Sequence, residues 1–165
     1  MVRAVTGLAA IAMAPFPSSA AAQGSVQFAE ELRGIWFSDD DEGVERCAAY
    51  RKTMAADDGD ASTYLVGAEV VSPDRWHSYA DYGEGNFYAP LKAKKTGAGS
   101  WRYAVAVGID ADPFGEDGGS ANFRASLADG KLTWVIEDFG GVPVDSWDEH
   151  RYFKCASVPD GMYGS

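Results

Sequence analysis

Ser100-Trp101-Arg102-Tyr103-Ala104-Val105-Ala106-Val107-Gly108-Ile109 is the stretch that decides the fold. Its side chains alternate with period two, the mark of a β-strand with two unlike faces. Trp101, Tyr103, Val105, Val107 and Ile109 make one bulky face. Arg102, Ala104, Ala106 and Gly108 make a nearly bare one. The next segments repeat the pattern: Phe123, Ala125 and Leu127 alternate with polar residues over 120–127, and Leu132, Trp134 and Ile136 do so over 131–138. Asp129-Gly130 between them is a strong signal for a two-residue hairpin.

Working back from residue 100, Thr96-Gly97-Ala98-Gly99 is a turn, and 86–94 reads as a strand whose Pro90 points to an edge or a bulge. Gly83-Glu84-Gly85 separates it from a strand at 75–81. Ser72-Pro73-Asp74 turns the chain from a strand at 63–71 that is rich in β-branched residues. Working forward, 139–144 is a loop and 147–156 the last strand. The first strand is 32–38, Leu-Arg-Gly-Ile-Trp-Phe-Ser. After it the period changes: Asp39 with Glu42 has capping-box spacing, and Val44, Cys47, Ala48, Arg51 and Ala55 fall at helical intervals, predicting a helix over 41–54.

The count is eight strands joined in sequence order, with one short helix after the first. Such a series favours an all-β, antiparallel up-and-down barrel, which leaves no free strand edges; a two-sheet β-sandwich is the alternative. The chain has 165 residues, of which 46% are apolar and 13% aromatic, enough for the core of one domain. With 25 acidic against 14 basic residues and a pI near 4.5, its surface repels phosphate backbones and anionic lipid, so no nucleic-acid partner is expected.

Residues 1–22 read as a secretory signal: Arg3 supplies a positive start, 4–14 a short apolar run, and Ala20-Ala21-Ala22 a cleavage site. No later segment approaches the ~18 apolar residues of a membrane span. The expected organisation is therefore a leader at 1–22, one domain at 23–156 and a flexible tail at 157–165, in a secreted or periplasmic protein. In such a compartment the two cysteines, Cys47 and Cys155, are expected to form a disulfide.

The chain resembles the calycin superfamily, the lipocalins and fatty-acid-binding proteins. The resemblance rests on Gly34-Ile35-Trp36 in the first strand, the meander that follows, and a basic residue in the final strand, Arg151 or Lys154. It implies that this base packs across Trp36 to close the barrel, with Arg151 taken first. A barrel is implied more strongly than a hydrophobic ligand.

No nucleophile elbow, zinc-protease helix or phosphate-binding loop is present. His77 and His150 read as surface or barrel-mouth residues. The loop carrying Asp110, Asp112, Glu116 and Asp117 among glycines holds ligands of the kind Ca²⁺ uses, but EF-hand spacing fails at Phe114 and Ala121, so a solvated acidic loop is the preferred reading and no other cofactor is expected. The aromatics Trp76, Tyr79, Trp101, Tyr103 and Trp134 could line a cavity for a small apolar or planar ligand. They could also fill the barrel, since eight strands leave a space just wide enough for side chains, and those dimensions favour filling. Small residues at Ala104, Ala106 and Gly108 would make room if that face were inward.

The expected function is that of an exported, non-enzymatic module binding a small apolar or aromatic ligand. An envelope protein-interaction or proteinase-inhibitor role is the second expectation, and an enzyme the third.

Overall fold

The computed structural model describes residues 25–56, 61–110, 114, 118–144 and 149–163; the leader read at 1–22 lies outside them. The described chain runs β1 (Gly34–Ser38), α1 (Asp41–Ala56), β2 (Glu69–Val71), β3 (Trp76–Tyr79), β4 (Gly85–Gly97), β5 (Ser100–Ile109), β6 (Gly119–Ala128), β7 (Lys131–Phe139), β8 (Val142–Pro143) and β9 (His150–Ala156). Eight of these strands form a closed antiparallel barrel. Each strand from β1 to β7 bonds to the next, β9 pairs with β7 through Thr133↔Arg151, and β9 pairs with β1 to close the ring. The two residues of β8 only fold back on the end of β7.

The alternation read at 100–109 is β5 as observed. Trp101, Tyr103, Val105 and Val107 are buried and inward. Asp129 and Gly130 both take positive φ, 51° and 71°, the requirement of the mirror-image hairpin turn joining β6 and β7. At Pro90 the β4 to β5 ladder shifts register, the bulge that a residue without an N–H forces in a paired strand. The segment read as a strand over 63–71 is different. Its first part is a 3-10 turn, Ala61–Leu65, and only Glu69–Val71 pairs as strand.

Helix α1 lies outside the barrel and is capped one residue later than the sequence spacing implies. Asp40, not Asp39, accepts the Gly43 N–H, at 2.7 Å, through its carboxylate. Asp39 instead forms an ion pair with Lys131 on β7. The buried helical face is Gly43, Cys47 and Tyr50, while Val44 stays exposed. Cys47 and Tyr50 join Ile35, Phe37, Leu65 and Val70 in a cluster on the outer barrel wall. Strands β1 and β2 are therefore buried on both faces, which explains why Ile35-Trp36-Phe37 and Val70-Val71 are continuous apolar runs. The Cys47 to Cys155 disulfide ties the helix to β9, and Arg51 donates to the Cys155 carbonyl at 2.9 Å.

The C-terminal tail, expected to be loose, is docked as far as Tyr163. Met162 and Tyr163 pack on the outer cluster, and the Arg75 guanidinium lies 4.8 Å from the Tyr163 ring. An apolar and aromatic pair late in the tail covers outer-wall surface that would otherwise face water.

Candidate functional site

The barrel interior has two unlike halves. One is filled from the N-terminal side. Phe28 is fully buried, with its ring 4.9 Å from Tyr103, 5.7 Å from Trp76 and 6.1 Å from Phe123. The Ala29 N–H donates to the Tyr103 hydroxyl at 3.0 Å, and the Trp36 indole donates to the Leu32 carbonyl at 2.8 Å, so the lead segment is fixed as a plug. Trp101, Leu132 and Ala125 complete this end.

The other half holds a cavity of about 370 Å³, within the range of small-molecule pockets. Its walls are largely apolar and aromatic: Tyr88 from β4, Ile109 from β5, Trp134 and Ile136 from β7, and Tyr152 from β9. Glu69, Ser78 and Asn86 add polar groups, and His150 stands at the rim. Exposed Ile109, Phe139 and Val142 give this end an apolar lip.

The Glu69 carboxyl is the distinctive group. The register sets Glu69 opposite Trp36 on β1 and Ser78 on β3, on the inward face. Only 5% of the residue is exposed. Its Oε2 accepts two bonds of 2.7 Å, from Trp76 Nε1 and from Ser78 Oγ. Burial drives its pKa up to about 7, against the pull of these hydrogen bonds and of weaker ones from Trp134 and Tyr152. The Tyr88 and Tyr152 phenols are pushed up as well, first by burial and then by the Glu69 charge.

Of the five aromatics expected to bind ligand, Trp134 alone lines the cavity. Trp76 lies beneath it, with its indole turned to Glu69 and its ring 5.3 Å from Trp134. Trp101 and Tyr103 belong to the filled half. Tyr79 faces outward, 4.4 Å from the His77 ring. The bare face of Ala104, Ala106 and Gly108 is also outward, so the room inside does not come from it. It comes from the plug reaching only one half.

The base that lies over Trp36 is the other candidate. Lys154 Nζ sits 5.6 Å from the Trp36 ring, whereas Arg151 is exposed opposite Thr133 of β7. Alternation decides this: Tyr152 and Lys154 share the side of β9 that meets Ser38 and Trp36, and Arg151 is out of phase with them. His77 is not a surface residue. It is buried on the outer wall beneath the tail, with Nε2 3.0 Å from the Glu84 carbonyl and Nδ1 3.1 Å from the Tyr163 hydroxyl. The carbonyl can only accept, so Nε2 carries the proton and Nδ1 accepts from Tyr163.

Asp110 follows β5 with a positive φ of 57° and an exposed side chain. Asp112, Glu116 and Asp117, the other residues of the Ca²⁺ reading, lie outside the described residues. Among the described residues no cluster of three or more metal-ligating side chains occurs, and no helix is long and apolar enough to cross a membrane.

Sequence reasoning passes over Glu69, Ser78 and Asn86, the polar groups of the site. A signal for Glu69 is present: it is the one acid in the run 64–71, in phase with Val71 and hence with the inward face. No protein-family model matches the chain, and comparison with curated proteins and with solved structures finds no match. The closed eight-stranded antiparallel barrel is compatible with a lipocalin-like architecture.

Proposed function

We propose that the protein is an exported binding protein that holds one small, largely apolar or aromatic molecule in the open half of its barrel. The observation that carries this reading is the cavity of about 370 Å³, with Trp134, Tyr88, Ile109, Ile136 and Tyr152 on its walls and a few convergent polar groups within. A lipocalin-like architecture is in keeping with it: the Gly34-Ile35-Trp36 strand start, the sequential meander and Lys154 over Trp36 occur together. Export is supported by the Cys47 to Cys155 disulfide, which suits an oxidising compartment. Docking of a partner protein is the second reading, favoured by the exposed lip of Ile109, Phe139 and Val142.

Native mass spectrometry of the protein purified from its own source, before and after organic extraction, separates the two. A mass excess lost on extraction supports the carrier. A bare polypeptide mass that takes up no added apolar compound supports the docking role.

A further inference from the structure

A carrier of hydrocarbon needs no buried carboxyl, and placing one inside a barrel is costly unless it is compensated. Glu69 nevertheless lines the cavity, flanked in sequence by Ala68 and Val70. Its Oε2 is held by Trp76 and Ser78, which orients the group. Among the described residues no Lys or Arg lines the cavity and none forms an ion pair with Glu69. Tyr88, Trp134 and Tyr152 stand around the same space. A carboxylate bounded by aromatic rings is a double attractor for a cation, through charge-assisted hydrogen bonds and through the negative faces of the rings.

We propose that the cavity selects a compact organic amine, its ammonium group against the Glu69 carboxylate and the rings of Tyr88, Trp134 and Tyr152, its apolar body toward Ile109 and Ile136. This rests on the carrier reading above and names the chemical class of its ligand. The cavity stands near the lower end of the ~300–1,000 Å³ usual for small-molecule sites, a size that suits one ring with a short side chain rather than a long acyl chain.

The arrangement couples binding to pH. Burial holds Glu69 near pKa 7, and an adjacent ammonium would pull it down, so amine binding at neutral pH releases part of a proton. Among the described residues, the titratable groups that line the cavity with Glu69 are Tyr88 on β4 and, on β9, Tyr152 and the exposed His150 at the rim; the lining residues of β2, β3, β5 and β7 carry no other charge. Both phenols are raised and stay neutral through this range.

The test is calorimetric titration of the full mature protein with phenethylamine and with its uncharged near-isostere phenethyl alcohol, at about pH 8 and about pH 6. The expected result is binding of the amine about tenfold or more tighter than the alcohol at the higher pH, with a smaller preference at the lower. In Glu69→Gln, which keeps an acceptor for Trp76 and Ser78, the preference is lost and the alcohol still binds. Equal affinity of wild type for both probes overturns the amine inference and leaves the carrier reading standing. Failure of both probes to bind overturns both. Should Glu69→Gln not fold, the wild-type preference and its pH dependence still decide, and a preference that does not change with pH counts against Glu69 as the anchor.

Discussion

Trp76 Nε1 donates to Glu69 Oε2 at 2.7 Å inside the barrel, so the side chain beneath the cavity and the acid within it form one unit. Trp76 in turn touches the Phe28 plug and Trp134. The filled half thereby positions the one acid that, among the described residues, lines the open half.

The first consequence concerns pH. Glu69 rises from 4.5 to about 7 on folding, so the folded state holds its proton more tightly than the unfolded chain. Its contribution to stability is fully present below pH 4.5 and is lost as pH rises through 7. The amount is of the order of 3 kcal/mol over that window. In denaturant unfolding, the stability difference between wild type and Glu69→Gln is expected to shift against wild type by that amount as pH rises from 4.5 to 7.

His77 works in the opposite direction. Burial, opposed by the Glu84 carbonyl and aided by the Arg75 charge, lowers its pKa from 6.5 to about 4. The neutral ring therefore stabilises the fold above pH 6.5, and that stability is lost as pH falls through 4. The two windows overlap, so wild-type stability is expected to be nearly flat between pH 4.5 and 6.5. Glu69→Gln should become less stable on acidification across that interval, and His77→Gln more stable. Equal pH profiles for all three proteins would refute the pair of assignments.

The disulfide spans 108 residues and fastens α1 to β9. On the chain-entropy account, closing a loop of that size stabilises by about 4–5 kcal/mol. The Cys47→Ser, Cys155→Ser double variant is expected to lose several kcal/mol in urea unfolding, with protection from hydrogen exchange falling first in α1.

Gly43 sets propensity against packing. Alanine is the better helix former by about 1 kcal/mol. A Cβ at Gly43, however, would fall 2.0 Å from the Ser38 carbonyl oxygen, a backbone atom at the end of β1. Gly43→Ala is expected to destabilise by about 1–3 kcal/mol, the usual range for overpacking. A stabilised variant would show that the α1 to β1 approach is looser than described.

The barrel was legible in the sequence where the physics is local. The alternation of 100–109 and the Asp129-Gly130 hairpin each depend on a few adjacent residues. What alternation leaves undetermined is which face of a strand turns inward, because both choices obey the same period; the direction of Tyr79 and of the Ala104 face is therefore not readable from the sequence. The β-branched content of 63–71 suggested one long strand, yet the 3-10 turn at Ala61–Leu65 is set by packing under α1, where Leu65 is buried. The candidate site was mostly hidden. Its cavity depends on how far the Phe28 plug reaches, a contact across most of the barrel that no local pattern encodes.

The division into a filled and an open half is tested most directly by uptake of an uncharged one-ring quencher, nitrobenzene, followed by loss of tryptophan fluorescence. The expected result is saturable binding of one molecule per chain, abolished by Ile136→Trp, which fills the cavity, and unchanged by Ala104→Trp on the outer wall. No uptake by the wild type, or uptake that Ile136→Trp leaves intact, would contradict the account.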